Sequence, residues 1–269
     1  GLFYFAARVP KAGVESQPFV TWPEGNGRVV RFLRGRLQQR IRTGQAVFDI
    51  APTDMGVDVA ACDASGTKVT GYRGERVIFA APQFMTRYLI RPYRQNPPAH
   101  LAAFEYGSWM VANLHLTERP RSAGFPLSWD NVMYDSPSLG YVVATHQQLR
   151  DHGPTVFTYY YPLCDEDPKM ARKKLLDTDW RGWADVALTD LARPHPEIRR
   201  LTERLDVMLW GHAMIRPRPG FHAGAARAEA ARPYRGIHFA HSDLSGVALF
   251  EEALHHGVRA AAEVVQALG

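Results

Sequence analysis

The residues of this sequence that could do chemistry crowd towards its C-terminal end. His238, His241, Ser242, Asp243 and Ser245 fall close together, with His255, His256, Glu251 and Glu252 just beyond. A metal reading comes first to mind, with His212 and His222 as further candidates. However, His238 and His241 are an odd step apart on a strand and point to opposite faces. His255 and His256 are adjacent on a helix and diverge, and no carboxylate or thiol completes a ligand set. No metal site is expected. Glu251 and Glu252 diverge in the same way, so they do not form a glycosidase pair. There is no GxSxG elbow, and neither Cys62 nor Cys164 has the neighbours that activate a thiol. What remains is Asp243 in a turn between a strand and a helix. Such a turn aims backbone N–H groups and the positive end of a helix at an anionic group. His241, at the strand end, is a second candidate beside it.

The elements that must position Asp243 are legible. Ile237 and Phe239 alternate with polar partners and lead into the turn. Ser245 is a plausible N-cap. Phe250, Ala253 or Leu254, Gly257 or Val258, Ala261, Val264 or Val265, and Leu268 recur at helical spacing. This stretch resembles the C-terminal FAD-binding segment of the flavin-dependent amine oxidases, a family of FAD-dependent oxidoreductases with a Rossmann-type nucleotide-binding unit. The resemblance implies that Asp243, where the family more often has Glu, holds the ribityl–pyrophosphate region of FAD. It also implies that Val247, Ala248, Leu249 and Phe250 start the helix facing the flavin, with the amides near Leu249 and Phe250 towards the pyrimidine side.

A second stretch matches the same family in its order of elements. The turn from Thr21 to Gly27 opens a helix that Asn26 can cap, with Val30, Leu33, Leu37 and Ile41 on one side and Gly44 at its C′ position. Gln45 to Ile50 reads as a short strand. Val57, Val59 and Ala61 pair with Val69 across the turn Asp63-Ala64-Ser65-Gly66, and Arg76 to Pro82 reads as a buried apolar strand ended by proline. By resemblance, Val47 meets the adenine side of FAD through its backbone. Gly25-Asn26-Gly27-Arg28-Val29-Val30 lacks the third glycine of GxGxxG and follows no clear strand, so it is not a dinucleotide fingerprint.

From Pro92 the texture changes, and Gln95-Asn96-Pro97-Pro98 marks a boundary. Trp109 to Leu116 reads as a strand with Met110, Ala112, Leu114 and Leu116 on one face. Val132 to Tyr134, Leu139 to Ala144 and Val156 to Tyr161 read as further strands of an antiparallel sheet. Helices are expected over Pro168 to Leu176, Trp180 to Leu191 and Pro196 to Arg204, then a returning strand over Leu205 to Trp210. In the family this region is the substrate domain, whose sheet roofs the flavin. Tyr159, Tyr160, Tyr161, Trp109, Trp129 and Trp210 are candidates for an aromatic cage, Trp210 foremost. No lysine can be assigned to the flavin N5 position that many amine oxidases use.

The fold expected is therefore α/β (α+β mixed). It is the C-terminal portion of a two-domain FAD-binding fold with an antiparallel-sheet substrate domain and without the N-terminal Rossmann βαβ unit. Residues 1–91 would belong to the FAD-binding domain, 92–215 to the substrate domain and 216–269 to the C-terminal FAD-binding segment. The missing nucleotide-binding region would lie in the same polypeptide or in a partner subunit; Gly1 to Arg8 begins as though inside an element. The function expected is hydride removal from an amine or another apolar small-molecule substrate. The alternative is a non-catalytic interaction protein that retains the fold.

The totals exclude other classes. The chain has 269 residues, 46% hydrophobic and 22% charged, and no apolar run long enough to span a bilayer. Net charge is +5. The densest basic group, Arg28, Arg31, Arg34, Arg36, Arg40 and Arg42, lies on and around one amphipathic helix and reads as a solvated face, so no nucleic acid partner is expected. Two distant cysteines favour a reducing, cytoplasmic setting, with any export signal upstream of Gly1.

Overall fold

The computed structural model describes residues 22–121, 124 and 126–269. The expectations for Gly1 to Arg8 and for Thr21 lie outside the described residues. Helix α1 (Gly27–Leu37) comes first. Asn26 makes no side-chain cap, and the helix stops before Ile41, through a 3-10 turn at Gln38–Arg40. Gly44, at φ +69°, serves the turn into the first strand rather than the helix end. Val30, Leu33, Leu37 and Ile41 are all at least 40% exposed, so the apolar face of α1 is uncovered among the described residues.

Strands β1 (Gln45–Thr53), β2 (Gly56–Asp63) and β3 (Val69–Gly74) form an antiparallel meander. Its second turn closes because Asp63 Oδ1 accepts from Ser65 Oγ and from the amides of Thr67 and Lys68. Strand β4 (Val77–Phe79) follows, then helices α2 (Thr86–Leu89) and α3 (Arg91–Gln95). The expected burial of β4 is incomplete: Phe79 is buried, but Ile78 is exposed.

Next come β5 (Tyr106–Leu116), β6 (Asp130–Asn131), β7 (Gly140–Val143) and β8 (Thr155–Leu163), helices α4 (Pro168–Asp177), α5 (Trp180–Leu191) and α6 (Ile198–Leu201), and β9 (Thr202–Ile215). The strands form a five-stranded antiparallel sheet in the order β6-β7-β8-β5-β9. Met110, Ala112, Leu114 and Leu116 are buried against Ala171 and Leu175 of α4 and Trp183, Ala187 and Leu191 of α5. Asp167 and Asp179 cap these helices through the amides of Lys169, Met170 and Gly182.

Two expectations fail here. Val132 to Tyr134 is not a strand. Asp135 at φ +55° turns the chain, and Val132 and Tyr134 face solvent. The helix expected over Pro196 to Arg204 shortens to α6, because Thr202 and Arg204 pair with Leu116 and His115 of β5. Sheet pairing overrides the local propensity.

The chain closes with α7 (Ala226–Ala231), β10 (Ile237–Phe239) and α8 (Phe250–Leu268). β10 pairs in parallel with β4. Among the described residues, parallel pairing is confined to these strands and a single bridge between Ile50 and Ile90. The core here gathers Ile50, Val57, Phe79, Ile90, Tyr106, Phe221, Ile237, Phe239 and Leu244, separate from the core under the large sheet. His238 does not alternate outward as a polar residue; it is buried, with Nδ1 3.0 Å from Glu263 Oε2. α8 also departs from expectation. Of the alternatives expected, Ala253, Gly257 and Val264 are half-buried, as is Phe250, near buried Ala260, whereas Leu254, Val258, Val265 and Leu268 are exposed; Glu252, His256, Arg259 and Glu263 form the hydrogen-bonded face.

Candidate functional site

The site is built around Asp243, which is 2% exposed. It lies in a 3-10 turn, Ser242–Ser245, that follows β10. Tyr106 at the start of β5 donates its hydroxyl to Asp243 Oδ2 at 2.6 Å, and the Gln83 amide donates to the same oxygen at 2.9 Å. Nδ1 of His241 lies 3.1 Å from Oδ1 and 3.2 Å from the Asp243 amide nitrogen. A protonated ring donates to Oδ1, whereas a free Nδ1 accepts from the amide. The carboxylate therefore faces inward and ties β10, β5 and the turn after β4 together.

Burial pushes the Asp243 carboxyl up. Hydrogen bonding to His241 and its charge, with the Tyr106 hydroxyl and the Gln83 amide, outweigh burial and hold it below the usual carboxylate range. Burial and the Asp243 charge drive Tyr106 the other way, so its hydroxyl stays protonated. The side-chain nitrogen of Gln83, a residue 1% exposed, has no partner. That donor fits an anionic or carbonyl-bearing group nearby.

Beyond the turn, Gly246 at φ +69° packs so tightly that a Cβ there would lie 2.6 Å from Phe221 Cε1. Val247, Ala248 and Leu249 then run without helical structure, and α8 begins at Phe250 with no side-chain cap. Ser245 is thus not the N-cap; Leu249 holds that position in extended conformation. The first amides of α8 have no side-chain acceptor, as a helix start that receives an outside anion requires.

The large sheet presents its helix-free face as the second wall. Residues directly opposite in an antiparallel pair share a face. Trp109 is paired with Trp210, and Val111 with both Tyr160 and Met208. Trp109 and Tyr160 meet edge to face at 6.3 Å. Tyr159 and Tyr161 belong to the other side, under α5, and Trp129 sits beside β6 at the far edge of the sheet, stacked on His146. Of the six cage candidates, Trp109, Tyr160 and Trp210 come together.

His212, two residues past Trp210, stacks on Phe84 at 4.0 Å and meets the edge of Tyr106 at 5.7 Å. Burial and Arg172 push its pKa down, keeping the ring neutral at neutral pH. The contacts Asp243–Tyr106–His212 connect the turn to the aromatic face. Sequence reading missed Tyr106, Gln83 and Phe84 and weighed His212 only as a metal candidate; its two-residue step from Trp210 is the signal that could have placed it here. Val47 sits on β1 beside a bulge at Phe48, with its side chain exposed. Among the described residues no hydrogen bond or ring contact links Val47 to Asp243. Among the described residues no lysine stands on the open sheet face: Lys173 and Lys174 pair with Asp177 and Glu166, Lys169 is on α4, and Lys68 is in the meander. No group of three potential metal ligands converges among the described residues.

Two buried histidines give this architecture a pH signature. His195, hydrogen-bonded through Nε2 to Tyr141 at 2.6 Å, has its pKa pushed down by burial, and nearby Glu197 only partly offsets this. His256 is pulled down to about 4 by burial, with Arg259, His255 and Arg227 adding to it and Glu252 opposing. The unfolded chain, with histidines near about 6.5, takes up these protons first. The stability they contribute is full above about pH 6.5 and is lost as pH falls towards about 4. Urea midpoints are expected to drop steadily from about pH 7 to about pH 5, above the range where Asp243 titrates. Equal midpoints across that range would refute the assignment.

No family model matches the chain. No curated protein matches it either. Solved structures do. A triple mutant of putrescine oxidase with redesigned cofactor binding superposes with TM-score 0.64 at 17% identity, covering 90% of this chain and 53% of that one. Wild-type putrescine oxidase bound to putrescine gives 0.62 at 15%, with the same coverage. Cyclohexylamine oxidase from Brevibacterium oxydans IH-35A gives 0.60 at 13%, covering 91% and 53%. The chain spans about half the length of these structures. It has the mixed α/β fold, with antiparallel sheets, of the C-terminal portion of these amine oxidases.

Proposed function

We propose that this chain is the substrate-facing and C-terminal FAD-binding part of an FAD-dependent oxidoreductase acting on amines. The observation that carries the reading is the junction at Asp243. A buried carboxylate fixes the turn, an uncapped helix start follows it, the unpartnered side-chain nitrogen of Gln83 lies beside it, and Tyr106 and His212 link it to an aromatic sheet face. These features fit FAD, which would supply a two-electron acceptor for a hydride taken from a C–N bond. Val247 to Phe250 would hold it through backbone amides. Val47 keeps its proposed place on the adenine side.

In this reading residues 1–91 and 216–269 hold the cofactor and 92–215 form the substrate domain. Trp109, Tyr160 and Trp210 receive the apolar part of a neutral amine and exclude water. Tyr106 keeps its proton and orients; it is not a base. His212 and His241 are the rings placed to hold or pass a proton at this wall. The uncovered apolar faces of α1 and α8 support a nucleotide-binding region, in the same polypeptide or a partner subunit, packed over both.

The test is a flavin spectrum of the protein produced with its upstream coding region, followed by anaerobic addition of amines. Bleaching of bound flavin by an amine is expected. Absence of flavin from that protein would overturn the reading. Among the described residues no lysine stands on the sheet face, which favours one alternative, an interaction protein that keeps the fold without the reaction. Bound flavin that no amine reduces would select it.

A further inference from the structure

Four polar side chains form a directed chain of hydrogen bonds along the inner face of α8. Arg259 Nε donates to His256 Nδ1 at 3.3 Å. With its lone pair on Nδ1 engaged, the neutral ring carries its proton on Nε2, which lies 2.8 Å from Ser245 Oγ. Ser245 in turn donates its hydroxyl to Glu252 Oε2. His256 and Ser245 each receive from one side and give to the other, between a guanidinium that only donates and a carboxylate that only accepts. Ser245 is therefore no nucleophile activated by a histidine; its proton is committed to a carboxylate.

The relay spans the segment that matters. Ser245 precedes the irregular stretch Val247–Leu249, and Glu252 and His256 follow it on the first turns of α8. The far end is anchored: Arg259 also donates to the carbonyl of Phe239 at the end of β10 and pairs with Glu263. Arg227 donates to the carbonyls of Leu244 and Ser245 from α7. A loop outside any helix or strand, with one internal backbone hydrogen bond from the Leu249 amide to the Val247 carbonyl, is thus clamped at both ends by side chains.

We infer that Ser245, Glu252, His256 and Arg259 form a positioning relay that fixes the Gly246–Phe250 loop in the conformation that presents its amides to the cofactor. The inference rests on the flavin reading for what the amides face, but not for the clamp itself. The groups facing His256 are Glu252, His255 and Arg259 from α8, Ser245 from the turn, and Arg227 from α7.

The test has one arm that needs no flavin. In the full chain, Ser245→Ala is expected to speed amide hydrogen exchange of Val247 to Phe250 by about 10-fold, while α4 and α5 exchange as before. Ser245→Thr, which restores a hydroxyl, should return most of the protection. Nitrogen-15 shifts of His256 should report the Nε2–H tautomer. Unchanged loop exchange in Ser245→Ala, a uniform rise across the chain, or the Nδ1–H tautomer would each overturn the relay. In the flavin-loaded protein the same substitution should weaken FAD binding by about 10-fold. If wild-type protein holds no FAD, the flavin reading falls, and the exchange and tautomer results still decide the relay.

Discussion

Asp243→Ala is expected to lower the unfolding free energy by about 3–5 kcal/mol, the range for removing one partner of a buried, hydrogen-bonded charge. The carboxylate has the Tyr106 hydroxyl, the Gln83 amide and His241 around it. Alanine leaves the first two donors buried without an acceptor, beside a Gln83 side-chain nitrogen that already has none. It also unties β10 from the start of β5, so the aromatic face and the helix start lose their common reference. Asp243→Asn is a milder change. Its carbonyl still accepts from Tyr106 and Gln83, and only the charge opposite His241 is lost, at about 1 kcal/mol. Urea unfolding of both variants at neutral pH checks this. An alanine variant within about 1 kcal/mol of wild type, a deficit a single ordinary hydrogen bond explains, would show that the carboxylate does not hold the junction.

What the sequence made legible followed from strong periodicity. The alternation in β5 predicted which side is buried, and Met110, Ala112 and Leu114 are fully buried. Trp180–Leu191 is a helix with the expected bounds, because its cap and its apolar spacing agree. The strand–turn–helix around Asp243 was legible for the same reason. The errors share another cause. Ser245 has the chemistry of a cap, but its hydroxyl is engaged by Glu252 and His256, so the helix starts later. On α8 the apolar spacing was real, yet the hydrogen-bonded face is the polar one. Periodicity identifies two faces and does not say which one this chain covers.

The site was less legible than the fold because its members come from distant segments. Tyr106 is 137 residues from Asp243 and Gln83 is 160 away. Nothing local distinguishes Tyr106 from other strand tyrosines. Three consecutive tyrosines drew attention to Tyr159 to Tyr161, but a strand turns alternate residues to opposite faces, so Tyr160 alone of the three reaches the open side. Electrostatic consequences were hard to see for a related reason: the shifts at Asp243, Tyr106 and His256 have burial as their first cause, and only the fold confers it, although His241 beside Asp243 and Glu252, His255 and Arg259 around His256 are sequence neighbours.

Gly140→Ala tests that same long-range dependence at the other wall, with an expected loss of about 3 kcal/mol or more. Gly140 has φ +87°, and a Cβ there would lie 1.9 Å from the carbonyl oxygen of Asn131 and 3.0 Å from Val132 Cα. Both obstacles are backbone, so no side chain can swing aside; at Gly246 the obstacle is the edge of a phenylalanine ring. The chain cannot retreat easily either. The Gly140 amide donates to Ser138 Oγ, Ser138 is bonded to Ser136, and Ser136 and Tyr159 both donate to Asp190 of α5. Relief of the clash must therefore shift β7 against β8, where Gly140 is paired with Tyr160. That tyrosine is part of the aromatic face, so the variant should lose near-ultraviolet dichroism from the Trp109–Tyr160 contact along with stability. A urea midpoint and an aromatic spectrum like those of wild type would mean that the turn at Asn131 yields freely, and that the sheet face owes its shape to β5 and β9 alone.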